Sequence, residues 1–162
     1  MTQAPDGRDS GYGSHQPTLR AIAQFTPIRS VIEFGAGKFS THLFLDPLVF
    51  PDLISLVTLE QDRNWVKQVL VDDPRLTLIS THSDNFEDFT RHMKADFVFL
   101  DCAPMVTRMT LKYHALTLAP IFAIHDCREG ELKPLFKFVK GFNSEIQTVF
   151  ASNTVDLEGL GL

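Results

Sequence analysis

Acids, glycines and one histidine recur in this chain just where short apolar runs end. They are Glu33, Gly35 and Gly37 in "SVIEFGAGKFSTHLF", Glu60-Gln61 in "LVTLEQD", Ser83-Asp84, Asp101-Cys102, and His125-Asp126-Cys127. Paired glycines let a backbone turn sharply and approach a ligand with no Cβ in the way. Ser40 and Thr41 can cap a helix behind them, so that backbone N–H groups face a nucleotide-like molecule. Glu60, some twenty residues past the loop, is placed to accept both hydroxyls of a ribose; alternatively it is a solvated acid beside a helix that starts near Asp62. The third glycine of a dinucleotide fingerprint falls at Ser40, which counts against NAD. His125 titrates near neutral pH and can take a proton from a substrate hydroxyl while Asp126 orients it. Equally, it can end a buried strand and bond a backbone carbonyl. Arg108 either meets an anionic substrate or lies on the surface.

The elements that must position these groups are legible as alternating patterns. Ser30–Phe34, Ile54–Glu60, Leu76–Ser80, Phe97–Asp101 and Ile121–Asp126 are short runs, several apolar at every position, as in "FVFL" and "IFAI". Strands buried on both faces of a parallel sheet read this way. Between them lie helical stripes: Trp65, Val66, Val69 and Leu70, which assign Trp65 to the core; Met105, Met109, Lys112, Tyr113 and Leu116; and Leu132, Leu135, Phe136 and Val139. Pro17 opens a first helix with Leu19, Ile22 and Ala23 on its apolar face, and Pro27 closes it. Near the end, Ile146–Ala151 and Val155–Leu160 read as a hairpin turning at Asn153. The expected fold is a doubly wound, mostly parallel α/β sheet of seven strands, closed by a C-terminal antiparallel hairpin in an α/β/α sandwich. Residues 1–16 read as a mobile arm or lid, and 17–162 as one domain.

Composition sets outer limits. The 162 residues suffice for one domain with a filled core, and 14 phenylalanines favour such a core. A formal charge of −5 offers no basic stripe for nucleic acid. No apolar stretch is long enough to span a bilayer, and the N-terminus lacks the pattern of a secretion signal. Cys102 and Cys127 make neither a disulfide framework nor a zinc spacing, so a reducing, cytoplasmic setting is the expectation. His42, His82, His92 and His114 share no spacing and read as structural.

Taken together, "VIEFGAGKFST" as an E-x-G-x-G motif, "LVTLEQD" as a second-strand acid, "ISTHSDNF", "DFVFLDC" and the closing hairpin resemble the class I S-adenosylmethionine-dependent methyltransferases, over about residues 28 to 162. The resemblance implies S-adenosylmethionine as cofactor. Glu33 and the Gly35, Ala36 and Gly37 backbone would lie near its methionine part, Glu60 with Gln61 at the ribose, Ser83 and Asp84 by the adenine, and Asp101 beside the cofactor. Phe39 departs from the family pattern where a third glycine often stands. The family's strand order would set Asp101 close to Asp126 and Cys102 close to Cys127. Catechol-type O-methyltransferases are similar here, with an acid after strand four and Asp-Asn after strand five holding Mg²⁺. Cys127 replaces that Asn and is a poor Mg²⁺ ligand, so Mg²⁺ is possible but not favoured, and a Cys102–Cys127 disulfide is not favoured either.

The implied activity is methyl transfer to an oxygen or nitrogen nucleophile, with His125, Asp126 and Asp101 as candidate catalytic groups. The alternative is a cofactor-binding partner module without turnover. A lid using Tyr12 or His15 is a further expectation. With so short a frame, the acceptor is expected to be large, or to find its pocket completed by a partner subunit or second copy.

Overall fold

The computed structural model describes residues 13–141 and 148–162. Among these, seven strands form one sheet: β1 (Ser30–Phe34), β2 (Ser55–Glu60), β3 (Leu76–Ser80), β4 (Phe97–Leu100), β5 (Ile121–His125), β6 (Phe138–Gly141) and β7 (Thr148–Ser152), in the order β3-β2-β1-β4-β5-β7-β6. The first five run parallel, β7 pairs antiparallel with β5, and β6 closes the edge antiparallel to β7. Strand order reverses between β1 and β4. The cleft beyond the carboxyl ends of those two strands is where open α/β sheets bind ligands.

Period-two alternation divides the core between the two faces of the sheet. Val31, Phe97, Phe99, Ala123 and Phe150 face α1 (Gln16–Phe25) and α2 (Thr41–Leu45). Ile32, Phe34, Val98, Leu100, Phe122 and Ile124 face α4 (Phe86–Thr90) and α5 (Met105–Leu118). Helix α3 (Arg63–Val69) covers β2 and β3. Both β4 and β5 are buried at every position, which accounts for their unbroken apolar runs. No helix among the described residues is long and apolar enough to cross a membrane.

The five parallel strands fall where the apolar runs place them; the closing hairpin does not. It is formed by β6 and β7, whereas Val155–Leu160 is a turn and not a strand. There Asp156 Oδ1 accepts from the N–H groups of Glu158 (3.0 Å) and Gly159 (3.2 Å), an Asx-type turn that competes with strand pairing. Ile146, expected to open the last strand, lies outside the described residues. The third helical stripe is also corrected: α6 covers only Glu129–Leu132, and Val139 sits in β6. Pro134 interrupts that apparent periodicity, because proline cannot sit inside a helix.

Helix α5 turns a different face inward from the one its methionines mark. Met105 and Tyr113 are exposed, while Arg108, Leu111, Lys112, Ala115 and Leu118 are buried at i, i+3, i+4, i+7 and i+10. Two cations within that stripe hide it from a hydrophobic reading.

Candidate active site

The glycine loop after β1 is held by the exits of β2 and β4. Gly35 has φ +96°, and a Cβ there would lie 2.5 Å from Cys102 N and 2.6 Å from Asp101 C. Both the left-handed backbone and the close approach to the β4 exit therefore require glycine. Gly35 N donates to Leu59 O (2.8 Å), and Ala36 N donates to Glu60 Oε2 (2.8 Å). Glu60 Oε1 accepts from Asp62 N at 2.6 Å, so this acid ties the loop to the start of α3 while lining the cleft. Burial raises the Glu60 pKa, against the opposing pull of those backbone donors.

Glu33 lies beneath the loop. It is fully buried on the α1/α2 side of the sheet, does not line the cleft, and accepts through Oε2 from the hydroxyls of Thr41 and Thr58, each at 2.7 Å. Thr41, expected as a helix cap, is thus directed to Glu33 while accepting from Gly37 N (3.1 Å). Desolvation pushes the Glu33 pKa up to about 7. An acid whose folded pKa lies above its unfolded value of 4.5 binds more protons folded than unfolded between those two values. Its contribution to stability therefore falls as pH rises from 4.5 to about 7, then levels off. Urea unfolding of Glu33→Gln is expected to lose this downward slope, worth on the order of 3 kcal/mol across the window. A slope unchanged by the substitution would mean that Glu33 ionises in the fold as freely as in water.

Beyond β4 and β5, Arg108 organises the polar groups. The register pairs Leu100 with Ile124, so the next neighbours are Asp101 and His125, on the same sheet face as Phe99. His125 Nδ1 lies 3.0 Å from Asp101 Oδ1, and His125 Nε2 lies 2.8 Å from Ser14 Oγ. Asp126 is linked to Asp101 through the guanidinium, Arg108 Nη2 lying 3.1 Å from Asp101 Oδ1 and Nη1 2.8 Å from Asp126 Oδ2, and its Oδ1 also lies 3.5 Å from His125 Nε2. Arg108 also donates to the carbonyls of Cys102 (2.6 Å) and His125 (3.0 Å). It is neither a surface residue nor free for an anion. A cation already stands between the two acids considered for Mg²⁺. Cys102 and Cys127 are buried free thiols whose pKa values desolvation raises to about 12 and about 11, which makes them poor nucleophiles.

These groups surround a cleft of about 550 Å³ lined by Ala36, Gly37, Glu60, Gln61, Trp65, Asp101, Arg108, His125 and Asp126, among others. That is the size of a small-molecule site. Gln61 spans it, with Nε2 donating to Ala103 O (2.7 Å) and Oε1 accepting from Ser83 N (3.3 Å). Trp65 is a half-buried wall of the cleft and not part of the core. Ser83 is buried and Asp84 is exposed beside His82; neither lines the cleft. From the N-terminal arm, Ser14 and His15 pack into the site, His15 at 2% exposure. Tyr12 lies outside the described residues. His114 is buried against Thr90 Oγ1 (2.8 Å), whereas His42, His82 and His92 are exposed.

No family model and no curated protein sequence matches this chain. Solved structures do. The cofactor-bound Rv0187 from MTB superposes with TM-score 0.67 at 13% identity, covering 91% of this chain and 84% of that one. The O-methyltransferase TomG from Streptomyces achromogenes, in complex with SAM, gives TM-score 0.62 at 15% identity, covering 87% and 80%. Spermidine synthase from Thermotoga maritima gives TM-score 0.62 at 14% identity, covering 93% of this chain and 62% of that one. A synthase among methyltransferases means that this architecture does not by itself fix the reaction. With its seven strands in the order described and its antiparallel closing pair, this chain has the class I S-adenosylmethionine-dependent methyltransferase fold.

Proposed function

We propose that this chain binds S-adenosylmethionine and transfers its methyl group to an oxygen or nitrogen nucleophile. The observation that carries the reading is the cleft at the strand-order reversal, where the Gly35–Gly37 loop, Glu60 and the β4 exit converge. A Cβ at Gly35 would abolish that convergence. The carboxylate of Glu60 keeps lone pairs beyond those used by Ala36 and Asp62, enough to accept ribose hydroxyls. Trp65 supplies an aromatic wall and Gln61 a fixed amide. The bound cofactor supplies a sulfonium methyl, an electrophile that needs no further activation.

Catalysis is then mainly positioning of the acceptor in line with that methyl. His125, oriented through Nδ1 by Asp101, holds Nε2 for the acceptor's proton once Ser14 Oγ gives way. Asp126, partly exposed and fixed by Arg108, orients the acceptor. The acceptor is either large or held by a partner subunit. The mutual pairing of Asp101, Asp126 and Arg108 favours one rival reading, a cofactor-binding module without turnover. Radiolabelled methyl entering any acceptor pool separates the two.

Calorimetric titration of S-adenosylhomocysteine is expected to give a Kd of about 10⁻⁶ M for the wild type, and at least a tenfold (about 1.4 kcal/mol) weaker value for Glu60→Ala, with or without Mg²⁺. Absence of binding in the wild type would remove the cofactor assignment.

A further inference from the structure

We infer that His15, Asp101 and His125 form a binding site for a divalent first-row transition metal, with Zn²⁺ the ion that its donors fit. One ligand atom from each residue lies within 4.8 Å of the other two. The observation that points to a ligand is His15. It is 2% exposed, and neither of its ring nitrogens makes a well-formed hydrogen bond among the described residues, the Phe39 carbonyl and Asp101 being the polar groups nearest the ring. Its ring packs on Phe99 (centroids 5.2 Å apart) and edge-on to His125 (4.8 Å), with Nδ1 facing Asp101 Oδ2 at 3.9 Å. A buried imidazole without a well-formed hydrogen bond at either nitrogen is left unexplained by packing alone.

The donor set selects the ion. Two imidazoles and one carboxylate suit Zn²⁺ or Fe²⁺ and not the oxygen-seeking Mg²⁺ or Ca²⁺. Ligands bound at about 2.0–2.2 Å in a tetrahedron stand roughly 3.4 Å apart, so the widest pair of donors needs to close by up to about 1.4 Å. Charge permits it: Asp101 and Asp126 against Arg108 leave one net negative charge at the cleft floor. When Nδ1 of His125 binds metal, its Nε2–H donates to Ser14 Oγ, the outer hydrogen bond that fixes a ligating imidazole. Three protein ligands leave a fourth position open toward the cleft. With the ion bound, His125 would serve as a ligand in place of the base role proposed above for the metal-free chain, and the ion would lower the pKa of an acceptor hydroxyl. This site differs from the Asp101–Asp126 pair, which Arg108 already bridges.

The test uses the untagged full chain, stripped with chelator and titrated with Co²⁺ as a spectroscopic probe, with Zn²⁺ affinity read by competition with a chromophoric chelator. One equivalent of Co²⁺ with visible d–d bands is expected, together with a Zn²⁺-dependent rise in melting temperature. His15→Gln should weaken Zn²⁺ at least tenfold and lose the rise in melting temperature, while His42→Gln, at an exposed histidine of α2, should match the wild type. His125→Asn removes a buried strand residue and so tests folding as much as binding. The deciding variant is therefore His15→Gln, whose circular dichroism must match the wild type. A wild type without stoichiometric binding, binding that survives in His15→Gln, or thiolate charge-transfer bands would each overturn the site. Cofactor affinity is a separate titration, so failure of either assignment is seen apart from the other.

Discussion

Arg108→Met is expected to lower unfolding free energy by about 3 kcal/mol at pH 7.5, by urea denaturation, because it strands two carboxylates and two carbonyls that one guanidinium now satisfies. The four contacts are to Asp101, Asp126, Cys102 O and His125 O, all within 3.1 Å. Breaking a fully buried pair by removing one partner costs roughly 3–5 kcal/mol. The lower end applies because the Asp126 side chain is 34% exposed. In the variant, two carboxylates share the site without the cation that joins them, and protonating one of them relieves the loss. The variant should therefore recover stability as pH falls through the carboxylate range and lose it as pH rises. Arg108→Lys keeps the charge, but one ammonium cannot reproduce a fork that reaches two acids and two carbonyls, so it should restore less than half of the loss. A cost equal at pH 4.5 and 7.5 would sink the electrostatic account and leave only lost packing.

How much of the fold and site is legible in the sequence differs by element. The parallel strands announce themselves because burial on both faces forces every position of "FVFL" and "IFAI" to be apolar. The glycine loop and Glu60 are legible for a different reason, since a strand-to-helix turn with an acid on the next strand has few other uses. Edge strand β6 is hidden because its residues are only half-buried and fall on a coincidental helical spacing across Pro134. Arg108 is hidden because a buried cation is rare unless paired, and its partners lie on strands whose register no single sequence displays. Strand order alone leads one to expect Asp101 to approach Asp126. The actual register pairs Asp101 with His125 instead, and this is what brings His15 into the same cluster. Ser83 and Asp84, placed by motif position alone, do not line the cleft.

Gly35→Ala should be the most damaging single-methyl change in the loop, costing more than about 3 kcal/mol and abolishing S-adenosylhomocysteine binding. A non-glycine residue in a left-handed conformation costs roughly 1–2 kcal/mol by itself. The added Cβ would also meet backbone atoms of Asp101 and Cys102 at 2.5–2.6 Å, and these cannot swing aside as a side chain can. Gly37 is the control within the same loop: its added Cβ meets only Ser40 Oγ, at 3.4 Å, so Gly37→Ala should cost less than about 1 kcal/mol. Gly130 is the control outside it. It lies inside α6 with open space around it, and Gly130→Ala should stabilise by about 0.5–1 kcal/mol through the unfolded chain. The order Gly35, Gly37, Gly130 thus separates three causes: backbone collision, light side-chain contact and chain entropy. If Gly35→Ala unfolded no more easily than Gly37→Ala, the loop would have room to lift off the β4 exit. The β1 and β4 exits would then not be locked together, and the cleft between them would have no fixed floor on which to align a methyl donor with its acceptor.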